Sequence, residues 1–399
     1  MRYNDTLMPP IAPQSSRVSI CVGGRFHSDQ LAWALLQAGY EVSLHTSLPK
    51  YRFMDLPNVC FRTHVFSEIL YRLGGRFGFG DQADHWKMRA LGRSLRADAE
   101  RSDVLLAWSS FGLEAFRKSA ARKVLVRDSS HISFQTQWLG LEYDRLKLKF
   151  SPRKFCEQRE LEEYSLSDSI WVLSEFAKKS FVQKGVPATK LFIVRLGVNT
   201  EYFPRKPTSE IKLPLKAVFF GTVGVRKGVH RLLEATKEFS PEQLELTLIG
   251  PVEQGFETIL RRYDHFKYQA PLPHVQLGKE LQNYDLFVFP TLEDGFGQTL
   301  AQAMAVGLVP LTTDHCGAAE GIRNGENGFV VAAGSTAALV ERLYALTERP
   351  ELLESMRQSS TDFSWKGYHD RVRELIEREL RSRTPLRRQI VAASALSHG

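Results

Sequence analysis

The stretch "AVFFGTVGVRKGVHRLLEAT", Ala217–Thr236, runs from a short apolar segment through two glycines and an Arg-Lys pair into apolar residues at helical spacing. A brief apolar run closed by glycine reads as a strand buried on both faces, and the period that follows reads as a helix packed back onto it. This opening lies past the middle of a 399-residue chain. Downstream, "LELTLIG" (244–250), "YDLFVFPT" (284–291) and "LVPLTTD" (308–314) repeat the strand pattern with helix-like segments between them. Upstream, "RVSICVGG" (17–24) and "SDQLAWALLQAGYEVSLHTS" (28–47) form an earlier strand-helix-strand opening, followed by "DVLLAWSS", "KVLVRDSS" and "SIWVLSE". The polar, proline-containing stretch 190–216 separates the two series.

The pattern predicts an α/β protein of two tandem doubly wound domains, the second beginning near Leu215, with a cleft between the carboxyl ends of two parallel sheets. Such a cleft favours a nucleotide ligand. Within the second series, "HVQLGKELQNYDLFVFP" (274–290) reads as a His-Val strand joined by a short connection to the Asp-Leu strand. The C-terminal part is expected to be a helix returning toward the first domain, ending in a frayed basic tail, "RSRTPLRRQIVAASALSHG".

Composition narrows the function. The net charge of +8 suggests an anionic partner: nucleotide phosphates, anionic lipid headgroups or nucleic acid. Basic residues bunch at Arg117, Lys118, Arg122, Lys123 and Arg127, and again at Arg145, Lys147, Lys149, Arg153 and Lys154. They lack the aromatic interleaving of a base-stacking platform, so no nucleic-acid partner is expected. The bunches motivate contact with an anionic membrane surface, although solvated faces would look the same. Four dispersed cysteines form no CxxC or Cys/His cluster, so neither a disulfide framework nor a metal site is indicated. The N-terminus carries no apolar signal core and no long apolar run occurs, which predicts a cytoplasmic protein, peripheral to the inner membrane face where it meets lipid.

Three glycine turns are candidate ligand loops. In "CVGGRFHSD", Gly23 and Gly24 end a strand, and Ser28 or Asp29 is placed to cap the next helix. The GxGxxG spacing of dinucleotide folds is absent, so this turn is equally a tight connection. In the opening stretch, Gly221 and Gly224 expose N–H groups beside Arg226 and Lys227, which together form an anion cradle at a helix start. In "LEDGFGQTLAQAMAVGLVPL" (292–311), Glu293 and Asp294 precede Gly295-Phe296-Gly297 and a helix rich in small residues. Carboxylates accept from hydroxyls while a helix N-terminus attracts phosphate, a combination that suits a nucleotide sugar.

At this point the chain resembles the retaining glycosyltransferase family four, of the GT-B fold. The resemblance is carried by Ser174-Glu175-Phe176, Gly185-Val186, Leu196-Gly197-Val198-Asn199, Arg226-Lys227-Gly228 and Glu293 through Gly307. It implies an acceptor-side Rossmann-like domain with linker over 1–205, a donor-binding domain over 206–360, and a returning helix and tail over 361–399. The implied activity is a metal-independent hexosyltransferase using a UDP- or GDP-linked sugar, with no cofactor, and a glycan or lipid-linked acceptor in polysaccharide or surface-glycan synthesis. It also implies that Arg226 and Lys227 neutralise the diphosphate, Asp294 positions the sugar, Gln302 stands where the family's second Glu meets the ribose, and His131 approaches the transferred sugar. Glu293, Gly295, Phe296, Gly297, Gln298 and Thr299 complete the expected donor site with Gly221, Gly23 and Gly24. A nucleotide-sugar epimerase and a non-catalytic nucleotide-sugar-binding relative are the alternatives.

Overall fold

The computed structural model describes residues 16–396 except 54, 208–209 and 358–362, with side chains described as far as residue 382. Its strands are β1 (Arg17–Val22), β2 (Glu41–Thr46), β3 (Cys60–Thr63), β4 (Val104–Trp108), β5 (Arg122–Arg127), β6 (Ser169–Val172), β7 (Leu191–Ile193), β8 (Leu215–Phe220), β9 (Leu244–Ile249), β10 (Phe266–Gln269), β11 (Leu286–Phe289), β12 (Val309–Thr313) and β13 (Phe329–Val331). The helices of the first half are α1 (Ser28–Gln37), α2 (Val65–Phe77), α3 (Gly80–Asp98), α4 (Leu113–Phe116), α5 (Ile132–Arg145), α6 (Lys154–Leu166) and α7 (Glu175–Gln183). Those of the second half are α8 (Val229–Thr236), α9 (Glu257–Leu260), α10 (His274–Glu280), α11 (Gln298–Val306), α12 (Thr336–Glu348), α13 (Glu351–Arg357) and α14 (Trp365–Leu396).

The strands form two sheets, ordered β3-β2-β1-β4-β5-β6-β7 and β10-β9-β8-β11-β12-β13. Pairing is parallel throughout, from Val18 beside Val42 in the first sheet to Leu215 beside Leu244 in the second. Both orders reverse once, between β1 and β4 and between β8 and β11. Each reversal leaves a crevice at the carboxyl ends of the strands, the place where open α/β sheets take ligands. The expectation of two doubly wound sheets is borne out. The central strands are apolar almost without interruption because helices cover both faces: Val18, Ile20, Leu106, Val124, Val218, Phe219 and Val288 are all fully buried.

Helix α14 packs on the first sheet, placing Tyr368, Val372, Leu375 and Ile376 in the same core as Val18, Val104 and Leu31. Glu379, buried on this helix, accepts from the Arg122 guanidinium at 2.7 Å. The helical backbone continues to Leu396, so the expected frayed tail is largely helix; its side chains beyond Ser382 and residues 397–399 lie outside the described residues.

Two local expectations are corrected. The His-Val pair opens helix α10, not a strand: Pro273 precedes it, and Leu277 and Leu281, four residues apart, turn inward. The strand before β11 is β10, "FKYQ", whose exposed Lys267 and Tyr268 conceal it from an apolar-run reading, and the connection onward is therefore not shortened there. At α1, neither Ser28 nor Asp29 is the N-cap. That position is His27, without a side-chain cap bond, while Ser28 Oγ donates back to Arg25 O at 2.6 Å and Asp29 Oδ1 accepts from Gln30 N.

Candidate active site

The reversal in the second sheet brings together the loop after β8, carrying Arg226 and Lys227, and the loop after β11, carrying Glu293 through Gly297. Gly228, at φ 68, starts α8, and a Cβ there would meet Pro290 O at 1.9 Å, so the two loops touch through a position only glycine fits. Lys227 Nζ lies 2.5 Å from Asp294 Oδ2, and the other Asp294 oxygen accepts from Gly297 N at 2.8 Å. Burial opposes charge on Asp294, but Lys227 and Arg226 prevail and hold its pKa below the usual carboxylate value.

Glu293 points elsewhere. It is fully buried, with Oε1 accepting from Ser130 N at 2.8 Å and Oε2 from Gln135 Nε2 at 2.7 Å and Arg226 Nε at 2.9 Å. Burial again opposes its charge, and Arg226 with the Ser130 N–H lowers the pKa regardless. Arg226 also donates to Ser129 Oγ at 3.0 Å. Glu293 therefore ties the second domain's loop to the first domain and orients Arg226. Gly295 completes this junction: a Cβ there would meet Asp128 O at 2.3 Å, and its own carbonyl accepts from Ser174 Oγ at 2.6 Å.

Beside this junction, between the domains, lies a cavity of 590 Å³. Of the residues expected at the site, Asp294, Phe296, Gly297, Gln298 and Gln302 line it. Arg226, Lys227 and Glu293 stand behind Asp294 through the contacts above. Thr299 is next to Gly221, its methyl lying 3.6 Å from where a Cβ would be. Gly23 and Gly24 do not line the cavity, and neither takes a positive φ. The space above Gly23 is filled by the Phe111 ring, which a Cβ would meet at 1.9 Å, so this glycine serves packing.

His131 also lies away from the cavity. Its ring Nδ1 caps α5 by accepting from Ser133 N at 3.2 Å, and it packs against Tyr164 and Phe181, both at 5.0 Å between centroids. Burial, reinforced by Arg127 and Lys184, pushes its pKa down to about 4, leaving a neutral structural imidazole. Two other histidines line the cavity, His27 and His274, and His27 Nδ1 is 3.8 Å from Asp128 Oδ1. Burial lowers the His27 pKa although Asp128 and Asp29 pull the other way. Asp128 is fixed through Oδ2 by Trp108 Nε1 at 3.0 Å, while its buried Oδ1 accepts no hydrogen bond. Phe26, held at φ 43 and 62% exposed, presents its ring on the same wall. These residues were readable only as positions just past the carboxyl ends of β1 and β5, in "CVGGRFHSD" and "RDSSHISFQ". Among the described residues no group of three or more His, Cys, Asp or Glu is placed to hold a metal ion.

Such a crevice, with Asp294 and the start of α11 on its wall and Lys227 and Arg226 directly behind them, can hold a ligand that carries both phosphate and hydroxyls. Residues 205–363 match the family model of the glycosyl transferases group 1. The two-sheet architecture is the GT-B fold. The chain is 26% identical over 213 residues to the putative colanic acid biosynthesis glycosyltransferase WcaL of Escherichia coli K12, covering 50% of this chain and 52% of that protein. It is 24% identical over 233 residues to the amylovoran biosynthesis glycosyltransferase AmsK of Erwinia amylovora, covering 54% and 57%. The chain thus spans about half the length of these curated relatives. Among solved structures, Anabaena HepE in complex with UDP-glucose matches with a TM-score of 0.64 at 14% identity, over 91% of this chain and 100% of that one. Sucrose-phosphate synthase from Thermosynechococcus elongatus matches at 0.60 and 16% identity, over 95% and 100%.

Proposed function

We propose that the chain is a retaining glycosyltransferase that moves a hexose from a UDP- or GDP-linked donor to a glycan or lipid-linked acceptor in polysaccharide or surface-glycan synthesis. It would work in the cytoplasm, at the inner membrane face. The observation that carries the reading is the convergence at the second sheet's reversal: Arg226, Lys227 and the starts of α8 and α11 surround the Glu293–Gly297 turn. The names of the polysaccharide-synthesis relatives support the acceptor class.

In this reading, negative charge grows on the departing diphosphate as the glycosidic bond breaks. Lys227 leaves Asp294 for the diphosphate, and the released Asp294 oxygen accepts a sugar hydroxyl. Its other oxygen stays on the Gly297 N–H, so the turn keeps its shape. Arg226, oriented by Glu293, stabilises the same leaving group without a metal, and preorganised cations of this kind act mainly in the transition state. Across the cavity, Phe26, His27 and Asp128 face the acceptor.

Gln302 favours a second reading, a nucleotide-sugar binder without turnover. It lines the cavity as an amide, which makes neutral hydrogen bonds where a carboxylate would make charge-assisted ones. One experiment separates the readings: incubation with a panel of UDP- and GDP-sugars, with and without glycan and lipid-linked acceptors, following sugar and nucleotide products. Donor consumption that requires acceptor supports the transferase. Isomerised donor without acceptor points to an epimerase, and a raised melting temperature with no product to the binder.

A further inference from the structure

We infer that the outer face of α2 is a docking surface for an anionic lipid bilayer. Scattered exposed apolar side chains are ordinary, but a contiguous set calls for an occupant. Of the fifteen large hydrophobic side chains exposed among the described residues, seven fall between Tyr51 and Trp86. Four of these, Phe66, Ile69, Leu73 and Phe77, recur on one helical stripe of α2. Phe66 and Phe77 are 73% and 68% exposed. The adjoining side of the helix is already packed: Gly74 is buried against Ala83 and Phe79, with no room for a side chain. The apolar stripe therefore faces outward and contributes nothing to the core.

Charge identifies the occupant. Between Lys50 and Arg96 the chain has nine Lys or Arg against four Asp or Glu. Glu68 pairs with Lys87 at 2.7 Å and Arg72 at 3.0 Å, and Asp84, buried, pairs with Arg153 from outside this stretch, so the cations left without these partners still outnumber the acids. Arg76 shares the exposed side of α2 with the stripe, and Arg89 and Arg93 are exposed on α3. An amphipathic helix with aromatic and leucine side chains flanked by arginines suits the headgroup boundary of an anionic membrane. A second copy fits less well, since a two-fold pairing of this face would bring the same arginines together. The basic bunches singled out in the sequence are less available. Arg117 pairs with Glu162, Arg122 with Glu379, Arg127 with Glu160, Arg145 with Glu142 and Arg153 with Asp84. No described helix is long and apolar enough to cross a membrane, so contact through α2 is contact along the surface.

The face also sits near the cleft. Ser47 Oγ is 2.9 Å from Glu68 Oε2 in the first turn of α2 and 2.8 Å from Gly23 O, where the loop leading to Phe26 and His27 begins. Docking would thus hold the acceptor wall at the bilayer. The lipid-linked part of this picture rests on the transferase reading, but vesicle binding does not. The full chain, without nucleotide sugar, is sedimented with phosphatidylcholine vesicles with and without phosphatidylglycerol. Retention on the anionic vesicles alone, weakened by high salt, is expected. The Phe66→Ser/Phe77→Ser double variant should bind about tenfold more weakly or worse, with an unchanged melting temperature and unchanged turnover of a soluble acceptor. No retention of the wild type, equal retention on neutral vesicles, or a double variant that binds like wild type would overturn the proposal. So would a wild-type dimer that the double variant dissociates. Vesicle binding without any donor turnover would leave this surface standing and count against the transferase alone.

Discussion

Two stretches of the contact between the domains are built by opposite rules. Along α5 the contact is dense with paired charge: the buried Glu142 carboxylate receives His230 Nε2 at 2.5 Å, Arg231 at 2.6 Å and Arg145 at 2.8 Å, and Tyr143 donates to Glu253 at 2.6 Å. Burial pushes the Glu142 pKa up, but the bonds from His230, Arg145 and Arg231 outweigh it and hold it well below the carboxylate range. Around the cavity the polar groups are left open instead. Asp128 Oδ1 and Gln298 Oε1 are buried without a hydrogen-bond partner. Buried polar groups are normally satisfied; along α5 the unpartnered atoms, His230 Nδ1 and Arg231 Nε, belong to side chains already bound to Glu142, whereas at the cavity they are acceptors lining open space that a polar ligand can meet.

The strongest test of the completed stretch is Glu142→Ala. It leaves Arg231 and His230 facing a buried void, and losing one partner of a buried pair costs about 3–5 kcal/mol. A large drop in melting temperature is expected; an unchanged one would mean that α5 does not close on α8 in solution. Next in size is Lys227→Ala, on the cavity's side. Removing one preorganised electrostatic group should lower turnover about a hundredfold, near 2.7 kcal/mol. Unchanged product release by this variant would break the proposed chemistry.

The asymmetry also explains what the sequence made legible. Parallel sheets buried on both faces leave continuous apolar runs, so β1, β4, β5, β8 and β11 stand out at once. The turn at Glu293–Gly297 and the Arg226-Lys227 pair are local in sequence and were readable as a ligand loop. β10 was not, because an edge strand with Lys267 and Tyr268 exposed has no apolar run to show. Glu293 and His131 were assigned to the ligand, yet their partners, Ser130 and Gln135 for the first, Tyr164 and Phe181 for the second, are set by tertiary packing. His27 and Asp128 are 101 positions apart, and only the order of the sheet brings them within 3.8 Å. Position past a strand end near a reversal was the signal that could have found them.

A smaller effect probes the open stretch directly. Replacing Gln302 by Glu restores a charged acceptor on the cavity wall. Charge-assisted bonds exceed neutral ones by roughly 1 kcal/mol, which corresponds to about fivefold tighter donor binding. Calorimetric titration with the donor that survives the panel would measure it. Equal or weaker binding would show that residue 302 does not meet the ribose.

The smallest expected effect is a pH dependence set by histidines that the fold buries away from the cavity. His45, His131 and His369 are each pushed down to about 4, burial being the largest cause in all three. In the unfolded chain such a histidine takes its proton near pH 6.5, so between about 6.5 and 4 the unfolded state binds more protons than the folded one. Stability is therefore fully present above pH 6.5 and drains as the pH falls toward 4. The carboxylates Glu142, in the paired stretch, and Glu293, at the junction beside the cavity, are lowered and keep their charge through that window, so their contribution is lost only at more acid pH. His131→Asn keeps a side chain able to cap α5 while removing one titrating group. Its melting temperature should fall less than that of the wild type between pH 7 and 6, by at most about 1 kcal/mol of stability. If the two profiles run parallel, His131 is not held neutral by its buried surroundings, and the case for assigning it a structural role away from the cavity is lost.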